Sequence, residues 1–64
     1  MVKMSYVGIV KENILQDLAK EFQKRGIAYV FVKEDSYYKV YMSEARRDEW
    51  KSILYRTLSK KERR

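Results

Sequence analysis

Between Ala28 and Met42, on either side of Asp35, an aromatic or basic side chain stands at every second position: Tyr29, Phe31 and Lys33, then Tyr37, Lys39 and Tyr41. In an extended chain every second side chain falls on the same face. Rings interleaved with ammonium groups on one face can stack nucleobases while neutralising their phosphates. A second chemistry follows further along, where Arg46, Arg47, Lys51, Arg56, Lys60, Lys61, Arg63 and Arg64 gather cations that contact a phosphate backbone regardless of base sequence. Both chemistries are binding, and neither is a reaction. The chain has no histidine and no cysteine, so the usual neutral-pH general base, thiolate nucleophile and zinc ligands are missing. Glu34 and Asp35 are adjacent in a polar turn, and Asp48 and Glu49 suit a helix start. Neither pair has a third acid near it in sequence to suggest proton transfer or metal ligation. The reading is therefore no enzyme activity, no metal and no cofactor.

At 64 residues the chain is one domain, near the size where a single hydrophobic core is only just sufficient. The division expected is a small domain over residues 1–59 and a flexible basic tail over 60–64. No disulfide can supplement the core, no apolar run approaches a membrane span, and MVKMSYVGIV is too short and interrupted for a signal peptide. These features lead to the expectation of a cytoplasmic protein with no membrane partner. The formal charge of +6 is unevenly spread: residues 45–64 carry eight basic and three acidic side chains, net +5. Such a concentration suits a polyanionic partner, DNA or RNA, or a solvated helix face.

The elements that must position these groups follow from periodicity. Val2 to Val10 alternates as a strand, with Val7 and Ile9 on the side assigned to the core and Met4, Tyr6, Gly8 and Val10 on the other. Gly8 is a weak point there and marks a bulge or a close backbone approach. From Lys11 to Gly26 the period becomes helical, with Ile14, Leu15, Leu18, Ala19 and Phe22 on one stripe. Asn13 and Gln16 form a candidate capping box, and Gly26 suits a left-handed stop. Residues 27–42 read as a hairpin turning at Glu34-Asp35-Ser36. Its aliphatic sets, Ala28/Val30/Val32 and Tyr38/Val40/Met42, are assigned to the core, which leaves the aromatic and basic sets outside. Ser43 is an N-cap candidate for a second helix whose stripe is Trp50, Ile53, Leu54, Thr57 and Leu58.

The fold class expected is α+β, a three-stranded sheet with two helices on one face in the order β-α-β-β-α. A right-handed crossover followed by a hairpin gives the spatial order 1-3-2, with 1-2-3 as the alternative. In topology alone, this arrangement resembles a ferredoxin-like fold that stops before its fourth strand. The open sheet face would then display Tyr6, Tyr29, Phe31, Lys33, Tyr37, Lys39 and Tyr41. Each ring carries about 150–250 Å², so five half-exposed rings reach the roughly 300–600 Å² of the largest patch on a typical monomer. Something should cover it. A second copy packed sheet against sheet as a homodimer is one reading, and a single strand stacked on the rings is another. The basic second helix offers a separate phosphate-contacting surface. The competing class is a protein–protein adaptor or inhibitor, of the kind a phage or mobile element encodes, docking on a host protein. The balance favours a small non-enzymatic binding protein that self-associates and contacts nucleic acid.

Overall fold

The computed structural model describes residues 2–62, and the side chains of residues 2–60. Strand β1 (Met4–Lys11) leads through a 3-10 turn (Glu12–Ile14) into helix α1 (Leu15–Arg25). The hairpin β2 (Tyr29–Glu34) and β3 (Tyr37–Ser43) follows, then a second 3-10 segment (Glu44–Glu49) and helix α2 (Trp50–Glu62). The sheet order is β1-β3-β2, with β3 antiparallel to both neighbours. The architecture is therefore α+β in the expected order, and of the two strand orders open in the sequence it is 1-3-2. Both helices lie on one side of the sheet, and Leu18, Phe22, Val40, Met42 and Ile53, all fully buried, form the centre of one core with Val10, Ile14 and Ile27.

The ends of α1 show which local signals carry through. Gly26 stops the helix at φ 68°, its N–H donating to the carbonyls of Phe22 and Gln23, a left-handed conformation that only glycine adopts without steric cost. The start differs from expectation. β1 continues to Lys11, the next three residues form the 3-10 turn, and the α-helical N-cap is Ile14 rather than Asn13. Ser43 likewise makes no side-chain cap, and α-helical geometry begins only at Trp50. At its far end α2 runs through Glu62, so Lys60 belongs to the helix and not to a tail.

Two face assignments reverse. In β1 the register with β3 shifts between Tyr6 and Gly8, leaving Val7 as an extra residue, a bulge that turns the rest of the strand over. Val10 therefore enters the core, and Ile9, expected inside, is 53% exposed. Gly8 lies under Trp50, where an added Cβ would stand 3.4 Å from the indole Nε1. In β2 the inward residues are Tyr29 and Phe31, while Val30 and Val32 face outward at 47% and 39% exposure. The cause is Phe22. Its ring stacks on Tyr29 at 5.0 Å and on Trp50 at 6.4 Å, each at an interplanar angle of 11°, and meets Phe31 at 6.4 Å. Rings bury more area than valines and gain about 0.5–1.5 kcal/mol per pair beyond it, so the aromatic side of β2 takes the core. Leu58, placed on the α2 core stripe by its spacing, is exposed, whereas Ile53 and Thr57 are buried, the Thr57 hydroxyl donating to the Ile53 carbonyl at 2.9 Å.

Substitution distinguishes the two sides of β2. Phe31→Ala is expected to cost about 2–4 kcal/mol in urea unfolding, somewhat under the fully buried case, and Val32→Thr to stay within about 0.5 kcal/mol of wild type. Comparable losses at both positions would contradict the assignment. At the bulge, Gly8→Ala should be tolerated, while Gly8→Val should displace Trp50 and cost about 1–3 kcal/mol, read from the same unfolding curves and from the tryptophan emission.

Candidate functional surfaces

The cations of the C-terminal half fall into two groups once their partners are seen. The first is a clasp. Arg25, at the end of α1, donates from Nε to Glu21 at 3.0 Å and from Nη1 to Glu49 at 2.9 Å, with a longer contact of 3.4 Å from Nη2 to the Ser52 hydroxyl. Arg46 donates to the other oxygen of Glu49. Glu49 is thus held between two guanidinium groups that join α1 to the segment leading into α2. Hydrogen bonds from Arg46 and then Arg25 keep its carboxyl below the usual carboxylate range, against a smaller opposing effect of burial. Burial acts against the charge on Arg25, but the hydrogen bonds to Glu49 and Glu21 together with the charges of those carboxylates outweigh it and hold the guanidinium above its ordinary value. Arg46, read from sequence as a phosphate contact, is therefore engaged by a carboxylate. Arg47 lies 3.9 Å from Glu44, which also sits 3.9 Å from Lys3, both loose surface pairs.

The second group is open. Lys51, Arg56 and Lys60 have no carboxylate within ion-pair distance among the described residues. Arg56 and Lys60 line a shallow depression on the outer surface of α2 together with Ser52, Tyr55 and Ser59. Helical spacing puts these five on one stripe, at i, i+3, i+4, i+7 and i+8, whose Arg56 and Lys60 edge adjoins the buried Ile53 and Thr57. Tyr55 is 76% exposed, the most of any large hydrophobic side chain described. The cation pattern is legible in the sequence, whereas the ring and hydroxyls of this stripe carry no mark of their own there. The 52, 55, 56, 59 spacing carries that signal once the core stripe is known. Lys51 lies apart, in a depression with Arg47, Tyr6 and Trp50 along the β1 side. The Lys61 side chain, and Arg63 and Arg64, lie outside the described residues.

The open sheet face keeps only part of the expected aromatic set. Tyr6, Tyr37, Lys39 and Tyr41 are on it, with the Tyr6 and Tyr41 rings 5.6 Å apart. Tyr29 and Phe31 are on the covered face, the Tyr29 hydroxyl accepting from Gln23 at 2.9 Å, and Lys33, paired with Tyr38, shares that covered side while remaining exposed at the β2 edge. In their place stand Ile9, Val30 and Val32. Among the described residues no three carboxylates converge on a point, no buried side-chain nitrogen or oxygen lacks a partner, and no helix is long and apolar enough to cross a membrane.

The clasp makes stability pH-dependent. Glu49 in the folded chain holds its proton less tightly than at its ordinary value of 4.5. Its contribution is complete above that value and is lost as pH falls through the lower folded one. Melting temperatures recorded from about pH 6 to about pH 2.5 should drop for the wild type below pH 4.5. Glu49→Gln should begin lower at neutral pH and fall less steeply, and parallel curves would show that the clasp does not contribute.

Comparison with protein-family models, with curated proteins and with solved structures finds no match to this chain, so function has to be argued from the surfaces themselves.

Proposed function

We propose that this chain is a small non-enzymatic binding protein that contacts nucleic acid through the outer surface of α2. The observation that carries the reading is the stripe of Ser52, Tyr55, Arg56, Ser59 and Lys60, in which cations lacking carboxylate partners among the described residues stand beside two hydroxyls and an exposed ring. Each component has a use on a polynucleotide. Arg56 and Lys60 replace counterions on phosphates, the serine hydroxyls donate to phosphate oxygens, and the Tyr55 ring offers a surface to a sugar or an unpaired base. A net charge of +6 on 64 residues raises the local concentration of any polyanion around this surface. Lys51 and Arg47 line a separate depression toward β1 together with Asp48. Such contacts position a backbone and do not read base edges, so the reading is one of weak sequence preference.

On this reading the basic residues divide into those that bind and those that brace. Arg25 and Arg46 hold Glu49, so their loss should weaken the fold, whereas loss of Arg56 or Lys60 should leave the fold intact and weaken binding. Titration of a fluorescent single strand and of a duplex at two salt concentrations tests this. Wild-type affinity should fall steeply with salt, and Arg56→Glu and Lys60→Glu should each weaken binding to every sequence and lower the salt slope by about 1. Tyr55→Ala should affect the single strand more than the duplex. A folded wild-type chain that binds neither at low salt overturns the proposal and leaves docking on a protein as the reading.

A further inference from the structure

The sheet face opposite the helices has no role in phosphate binding by α2. Four rows of side chains cross it: Met4 and Ser43 at one end, then Tyr6, Tyr41 and Val30, then Ile9, Lys39 and Val32, and at the far end Lys11, Tyr37 and Glu34. Tyr6 is 54% exposed, and it stands with Ile9, Val30 and Val32 among the exposed large hydrophobic side chains of the chain. Branched aliphatic groups present no π-face to a base, so the middle of this face fits another apolar surface better than a stacked strand.

Lys39 sits at the centre of the face and discriminates among occupants. A second copy can be laid on it in two symmetric ways. With the two-fold axis along β3, the rows stay in register and Lys39 meets Lys39 of the partner subunit, a like-charge contact that opposes binding. With the axis across the strands, between the two central rows, every group of those two rows meets a complementary one. Lys39 lies over the partner's Tyr41, Ile9 over the partner's Tyr6, and Val32 over the partner's Val30. An ammonium group over a tyrosine ring is favourable, and the remaining contacts are apolar on apolar.

We infer that the open sheet face is a self-association interface, on which a second copy packs sheet to sheet about this second axis. The two sheets stand about 10 Å apart and run within about 30° of each other. Each helical layer stays outside, so the outer surfaces of α2 remain free on opposite sides of the pair. Three strands of six to eight residues give a small contact, at the low end of specific interfaces, where weak and transient pairs fall. A charge of +6 on each copy opposes approach. Added salt screens that repulsion and should strengthen the pair, opposite in sign to its effect on phosphate binding.

Sedimentation equilibrium of the full chain without nucleic acid, at about 100 μM and at about 0.1 and 0.5 M salt, is the test. The expected mass is twice 7.8 kDa, with the dimer fraction rising at the higher salt. Ile9→Lys and Val32→Lys, both at outward positions and checked for fold by circular dichroism, should sediment at the single-chain mass. Tyr55→Lys, on the outer surface of α2, should remain paired. A wild-type chain that stays monomeric at both salts overturns the inference. So does a dimer that Tyr55→Lys disrupts while the two sheet variants do not. Because no nucleic acid is present, the result does not depend on whether α2 binds phosphate.

Discussion

The packing of Phe22 is the constraint on which the rest of this small structure depends. One ring on α1 is stacked on Tyr29 of β2 and on Trp50 at the head of α2, with Phe31 tilted against it, so a single residue joins both helices to the sheet. A 64-residue chain without disulfides has little apolar surface to bury and must place its largest side chains together. Full burial of a residue of this size is worth about 1.5–3 kcal/mol, a large share of what a domain of this length retains after its entropy losses. Two consequences follow from where the ring lies. Tyr29 and Phe31 must point inward, and Gly8 has room for no more than a methyl group because Trp50 occupies the space above it.

The outward surfaces are set by the same packing. With the rings of β2 inside, the uncovered face becomes a mixed aliphatic and tyrosine surface around one lysine and loses the character of a continuous aromatic platform. On the helical side, the bracing of α1 to the segment before α2 engages Arg25 and Arg46 through Glu49, while Arg56 and Lys60 have no such partner among the described residues. Chemistry that looks uniform along the sequence, a run of basic residues and a run of aromatic ones, is thus divided by the fold into structural and available parts. The apolar face and the cationic stripe lie on opposite sides of a two-layer chain, which lets each have its own partner.

Several features were legible without coordinates because their causes are local. The helical stripe of Ile14, Leu18 and Phe22, the stop at Gly26, the hairpin turn beside Asp35 and the order β-α-β-β-α all follow from periodicity and turn chemistry over a few residues. The right-handed crossover rule suits the order 1-3-2 but leaves 1-2-3 open, and the pairing of β3 with both neighbours is what settles it. The assignment of Val40 and Met42 to the core held because β3 is the central strand, with neighbours on both edges confirming one face. The cationic character of the C-terminal helix needed only a count of charges.

What the sequence by itself determined was therefore which elements form, in what order, and that one sheet face would be left open. Which residues occupy that face was decided by tertiary structure. Alternation in Tyr29–Glu34 offers two faces of similar apolarity, and only the position of the Phe22 ring across the core selects the aromatic one. In β1 the single extra residue at Val7 exchanges Ile9 and Val10 between core and surface, and a period-two pattern cannot reveal a one-residue shift that depends on pairing with a distant strand. The same holds for the arginines, since a partner 24 positions away, as Glu49 is from Arg25, becomes a partner only when the chain has folded.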